Sequence, residues 1–240
     1  MHWKCKAWVL FAGLYAVTGY AAQEDEQIKT DCGKIDGYGK AGAAAYRQGD
    51  MARAVEEFSA QAAWGEFCRL PAAALDTAYN NTALALIRSG EPLKANAWLS
   101  LAPHSAKSGV NLTLIQPVLD RLKPALAATP MGNYWRYAGQ GLWSVLSVMP
   151  EGNTWKITFN GYYMPGMGMY YGPNMGSFSV VQPISDGKAV YRQDAADGDS
   201  ACQVNMTFNP REAQLDTVSG DCGFGMNVRA DGKFLRVSLY

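Results

Sequence analysis

The sequence predicts an α+β protein in which a short helical-repeat domain is followed by an antiparallel β-barrel or sandwich. Three observations carry that prediction. Apolar residues recur at helical spacing through an Ala- and Leu-rich stretch from Gly39 to Ala128. The composition changes at Thr129-Pro130-Met131-Gly132-Asn133. Beyond that point Gly, Tyr and Trp accumulate in segments of alternating polarity separated by turn signals. The expected order is a signal peptide over 1–22, a helical domain over 23–128, a linker over 129–133 and a β domain over 134–240.

The leader is read from charge and length. Lys4 and Lys6 precede an apolar run from Ala7 to about Ala16, followed by the small residues Gly19, Ala21 and Ala22 and the polar Gln23-Glu24-Asp25-Glu26. Such a pattern marks a secretory signal, and the run is too short to span a bilayer. Export to a bacterial periplasm or to the medium is expected, with no stable membrane insertion. Cleavage would remove Cys5 and His2 and leave His104 as the one histidine. It would also leave Cys32, Cys68, Cys202 and Cys222, an even set in an oxidising compartment. Four cysteines allow three pairings. Cys32 with Cys68 and Cys202 with Cys222 are favoured, because each pair lies within one compositional half and closes a modest loop. Zinc ligation is disfavoured, since no two of these cysteines stand at a close ligand spacing.

In the helical half, Arg47-Gln48-Gly49-Asp50-Met51-Ala52-Arg53-Ala54 is echoed 41 residues later (88 minus 47) by Arg88-Ser89-Gly90-Glu91-Pro92-Leu93-Lys94-Ala95. Each glycine permits the backbone to end a helix, and each acid favours the start of the next. Pro92 suits a first helical turn. Ala54 and Ala95 allow close helix packing, with Phe58 and Leu99 four residues on along the same face. A further helix is expected over about Val110 to Ala128, burying Leu112, Ile115, Leu119, Leu122 and Leu126, with Pro117 at its start or at a kink.

In the β half, Trp155, Ile157, Phe159 and Tyr163 share one strand face, and Cys202, Val204, Met206 and Phe208 alternate with polar residues. Asn209-Pro210-Arg211-Glu212 turns the latter strand back on itself. Asp231-Gly232 predicts a two-residue hairpin that pairs Ala230 with Lys233 and Arg229 with Phe234. About seven to nine strands follow from this spacing.

The motif Tyr46, Gly49, Asp50, Ala54, Phe58, then Gly90, Ala95, Leu99 and Ala102, resembles the tetratricopeptide repeat family over about 60 to 80 residues. That resemblance implies stacked helix pairs with a concave face for peptides or proteins. The 41-residue offset exceeds the family's usual period of about 34, which places the extra length around Phe67-Cys68-Arg69-Leu70-Pro71. The segment from Cys222 to Gly232 resembles the closing hairpin of small exported bacterial β domains of lysozyme-inhibitor-like appearance, a likeness that transfers no residue.

Charge narrows the partners. Lys plus Arg and Asp plus Glu number 21 each, so no net field draws nucleic acid. No nucleotide-binding glycine loop occurs, and no Gly-x-Ser-x-Gly turn accompanies His104. Asp194, Asp197 and Asp199 lack the spacing of a calcium loop. No catalytic residue, cofactor or resident metal is therefore expected. A protein partner is, and two surfaces are candidates for it. One is the Met- and Tyr-rich loop with Met164, Met167, Met169, Tyr170, Tyr171 and Met175, whose side chains form adaptable contact area. The other is the outer face of the final hairpin, where Arg229 and Arg236 flank an exposed Phe234. The leading expectation is an exported, non-enzymatic protein-binding module, in one version an envelope inhibitor or immunity-type protein. Copper(I) held by the loop thioethers is a second expectation, and a carboxylate-dependent hydrolase a third.

Overall fold

Among the described residues, six helices precede an eight-stranded antiparallel sheet that curls into a nearly closed barrel. This is a computed structural model, and it describes residues 24–195 and 201–240. The signal peptide at 1–22 and the acids Asp197 and Asp199 lie outside the described residues.

The helical layer consists of α1 (24–32), α2 (Ile35–Gln48), α3 (Met51–Phe67), α4 (Ala72–Arg88), α5 (Pro92–Leu99) and α6 (Ala106–Ala128). Its two echoed segments form the same turn. Gly49 and Gly90 adopt φ of 84° and 78°, the left-handed region that glycine enters without steric cost. The Asp50 amide then donates to the Ala45 carbonyl at 3.0 Å, and the Glu91 amide to the Leu86 carbonyl at 2.9 Å. Asp50 Oδ1 caps α3 by accepting from the Arg53 amide at 3.1 Å. Ala54 and Ala95 are fully buried, with Phe58 and Leu99 buried one turn on. The α3–α4 connection falls at Cys68 to Pro71, where extra length was expected, and the Cys32–Cys68 disulfide ties it to α1.

α6 begins at Ala106 and contains both Pro117 and Pro124, so Pro117 does not mark its start. Ile115, Leu119 and Leu126 are buried as expected, while Leu112 and Leu122 are half-buried. Asn80 of α4 donates to Ser108 Oγ at 3.0 Å and accepts from Asn111 Nδ2 at 2.9 Å, a buried polar contact that sets how α6 lies on α4.

The strands are β1 (Gly132–Gly139), β2 (Leu142–Glu151), β3 (Thr154–Tyr163), β4 (Asn174–Gln182), β5 (Lys188–Gln193), β6 (Cys202–Phe208), β7 (Glu212–Gly220) and β8 (Gly232–Arg236). They form two meanders, β1 to β4 and β5 to β8, joined by antiparallel pairing of β8 with β1. The seam lies between β4 and β5. There the Phe178 and Tyr191 rings stack with centroids 4.2 Å apart, and Gln182 Nε2 donates to the Val190 carbonyl at 3.1 Å. The alternation read in β3 and β6 holds: Ile157, Phe159, Val204 and Met206 are buried in the barrel with Leu146, Leu215 and Phe234. Tyr163, expected on the same face, is 38% exposed at the strand's end.

Asp231-Gly232 does not close a hairpin. Instead of pairing with 228–230, residues 232–236 lie between β7 and β1, with Phe234 opposite Ala213 and Leu235 opposite Trp135. Asp231 Oδ1 accepts from the Thr217 amide at 2.6 Å, which holds the entry to β8 against β7. The long-range ladder outweighed the local turn preference.

Candidate functional site

Residues 221–231, which precede β8, cross one end of the barrel. The Cys202–Cys222 disulfide pins the start of this crossing. Phe224 lies over Gly176, where a Cβ would come within 2.6 Å of its ring, and packs on Phe159 at 5.6 Å between centroids. Val228 is buried over Gly161. The crossing segment meets the start of β4 through two hydrogen bonds. The Gly225 amide donates to the Met175 carbonyl at 3.0 Å, and Asn174 Nδ2 donates to the Met226 carbonyl at 2.8 Å.

The Met- and Tyr-rich segment joins β3 to β4 at this same end. It contains a single helical turn, α7 (Gly168–Tyr171), closed by amides of Tyr170 and Tyr171 donating to the Met167 carbonyl. Tyr170 anchors it to the helical layer. Its ring meets Trp64 and Phe67 edge-on at 5.9 and 5.6 Å, and its hydroxyl donates to Asp31 Oδ2 at 2.9 Å. Asp31 also accepts from Gln27 at 2.8 Å and from Lys34 at 2.7 Å. These three donors, Gln27 foremost, hold its carboxyl down at about 2. The Tyr171 hydroxyl donates to Glu24 Oε1 at 3.1 Å, yet its side chain is 73% exposed.

The nine residues proposed from sequence thus separate into three groups. Tyr171, Met175 and Arg229 are exposed. Met164, Met167, Met169 and Tyr170 are half-buried, with the Met164 thioether lying close to Gly168. Phe234 and Arg236 are corrected: they are buried, at 0% and 1% exposure, so no ring flanked by two exposed cations exists. Phe234 fills the barrel because β8 is an interior strand of the sheet. The Arg236 guanidinium donates to the carbonyls of Leu126, Met131 and Pro210, joining the end of α6 to the barrel. Burial pushes its pKa down from the usual arginine value, against an opposing electrostatic effect of Tyr134.

What remains toward the capped end is a set of exposed apolar side chains, the candidate patch: Met226 at 76%, Met175 at 62%, Tyr171 at 73% and Tyr163 at 38%. Met226 escaped the sequence reading, because it lies 51 residues from Met175 (226 minus 175) and reaches it only through the crossing segment, whereas Tyr163 was expected on the apolar face of β3 rather than at a contact surface.

The groups proposed for other chemistry stand apart from this patch. His104 is exposed in the α5–α6 turn. Among the described residues no three His, Cys, Asp or Glu side chains are grouped to hold a metal ion, and no helix is long and apolar enough to cross a membrane. No protein-family model, curated protein or solved structure matches the chain.

Proposed function

We propose that this chain is an exported, non-enzymatic protein-binding module whose contact surface is the capped end of the barrel. The observation that carries the reading is the grouping there of Tyr163, Tyr171, Met175 and Met226, four large apolar side chains, three of them more than 60% exposed, beside the exposed Arg229. Exposed apolar area of this kind is stabilised when a partner removes it from water. Tyr, Met and Arg are also the types enriched in the centres of protein interfaces. The backbone beneath them is held by the Cys202–Cys222 disulfide, the Gly225 and Asn174 hydrogen bonds and the Tyr170 anchor. Little ordering entropy is then lost on binding.

A concrete version is an envelope inhibitor or immunity-type protein that covers the active site of a cell-wall hydrolase. The matching turns at Gly49 and Gly90 support a tetratricopeptide-like reading of the helical layer, which would serve as the frame that docks α7. The test is a pulldown from envelope extract with the wild-type chain and with Tyr171→Ser, Met175→Ser and Met226→Ser combined. Loss of the captured partner is expected; undiminished capture would remove the patch from the account.

Copper(I) binding is a second reading, favoured by the backbone contact that places exposed Met175 beside exposed Met226. Thioethers are soft ligands suited to that ion. Anaerobic titration with copper(I) tests it: a stoichiometry unchanged by Met175→Leu with Met226→Leu would rule it out.

A further inference from the structure

On another face, the turn from α4 to α5 meets the outer surface of β1 and β2, and two hollows of about 400 and 770 Å³ open along that junction. They share Ser89, Glu91, Lys94 and Trp135, so they form one elongated groove with those residues at its waist. Three indoles gather beside the waist. Trp135 and Trp143 lie with centroids 5.3 Å apart, and Trp98 meets Trp143 at 5.4 Å. Glu91 and Lys94 form an ion pair in which both side chains keep solvent contact, and Lys94 Nζ stands 5.9 Å from the Trp135 ring centre.

We infer that this groove is a binding site for an uncharged oligosaccharide. The half-buried Trp135 ring lines both hollows and offers apolar surface of the kind that packs against the C–H faces of pyranose rings, while Trp143, packed among Trp98, Trp135 and Tyr137, backs it from the core side. The ion pair offers ammonium donors and carboxylate acceptors at one place, which suits a ligand whose hydroxyls both donate and accept. Glu91 and Lys94 cancel in charge, so the waist holds no net charge to match a charged ligand. An extended peptide fits less well. β1 is already paired on both edges, with β2 and β8, and β2 on both, with β1 and β3, so the sheet offers no strand edge along the groove. A helical peptide would need an unbroken apolar channel, and the ion pair interrupts it.

The experiment is titration of the full chain with chitohexaose and, separately, cellohexaose, followed by tryptophan fluorescence and calorimetry. A saturable response to one of them is expected at concentrations below about 5 mM. Trp135→Ala should weaken it about tenfold, and the surface change Lys94→Ala about threefold, with thermal unfolding recorded for both. The Tyr171, Met175 and Met226 serine variant should bind saccharide as the wild type does, which separates this site from the protein-binding patch. No saturable response to either sugar, or a response unchanged in Trp135→Ala, would overturn the inference.

Discussion

The Glu66 carboxylate, on α3, accepts the hydroxyl hydrogen of Tyr137, on β1, and thereby bolts the helical layer to the barrel. The same carboxylate accepts from the Tyr79 hydroxyl at 2.7 Å and the Gln140 amide at 2.7 Å, while the Tyr137 oxygen accepts from the Gly141 amide at 2.7 Å. Three elements converge on one acid because α3 lies against the β1–β2 turn, where a Cβ on Gly141 would come within 3.1 Å of Ala63.

Replacing Glu66 by Gln therefore puts an amide N–H₂ where two donors or a third expect an acceptor. A loss of about 1–3 kcal/mol in unfolding free energy is expected. Tyr137→Phe should cost about 1–2 kcal/mol, and the double variant less than the sum, because the two share one bond. Urea unfolding measures all three.

The same cluster sets an alkaline limit. Burial, followed by the hydrogen bond and charge of Glu66, raises the Tyr79 and Tyr137 hydroxyls far above the ordinary phenol, and burial pushes Tyr134 up to about 12. The unfolded chain releases these protons near about pH 10, whereas the folded chain keeps them. Their contribution to stability is whole below about pH 10 and falls as pH rises from there through the folded values. Urea midpoints should drop between about pH 10 and about pH 12, and the drop should be shallower in Tyr137→Phe.

Arg236 is the second bolt. It carries a charge into the interior, where no carboxylate among the described residues pairs with it, stabilised by the carbonyls of Leu126, Met131 and Pro210 and by the face of Tyr134 at 5.6 Å. Arg236→Lys leaves a point charge that cannot span those acceptors, and Arg236→Ala leaves them unpaired. Expected losses are about 2 kcal/mol and about 3 kcal/mol or more, read from thermal and urea unfolding.

Those two bolts show where sequence reading stops. Gly49, Gly90 and the alternation in Cys202–Phe208 are local, and a local reading recovers them. So are the disulfide pairings, because each closes within its own layer. Phe234 and Arg236 were misread because their faces depend on a ladder with β1, about a hundred residues earlier, and a shift of one position turns every side chain to the other side. The patch was half legible. Tyr171 and Met175 stand in one unusual segment, whereas Met226 enters only through the crossing chain. The saccharide groove was not legible at all, since Trp98, Trp135 and Trp143 come from a helix and two strands and each alone reads as core.

Removing the Cys202–Cys222 disulfide tests the cap. Changing both cysteines to Ala opens a loop with a sequence separation of 20 and should cost about 3 kcal/mol. Amide exchange should quicken over 221–231 before it does in β6 or β7, and partner capture should weaken as Met226 leaves Met175. Uniform exchange across the barrel would mean that the disulfide does not pin the cap.

The central claim is that the capped end meets another protein, and site-specific photo-crosslinking in intact cells tests it most directly. A photoreactive phenylalanine analogue placed at Tyr171 or Met175 should give a covalent adduct with a second polypeptide, while the same group at Val110, 63% exposed on α6, should give none. Adducts from Val110 alone, or none from either patch position, would contradict the account.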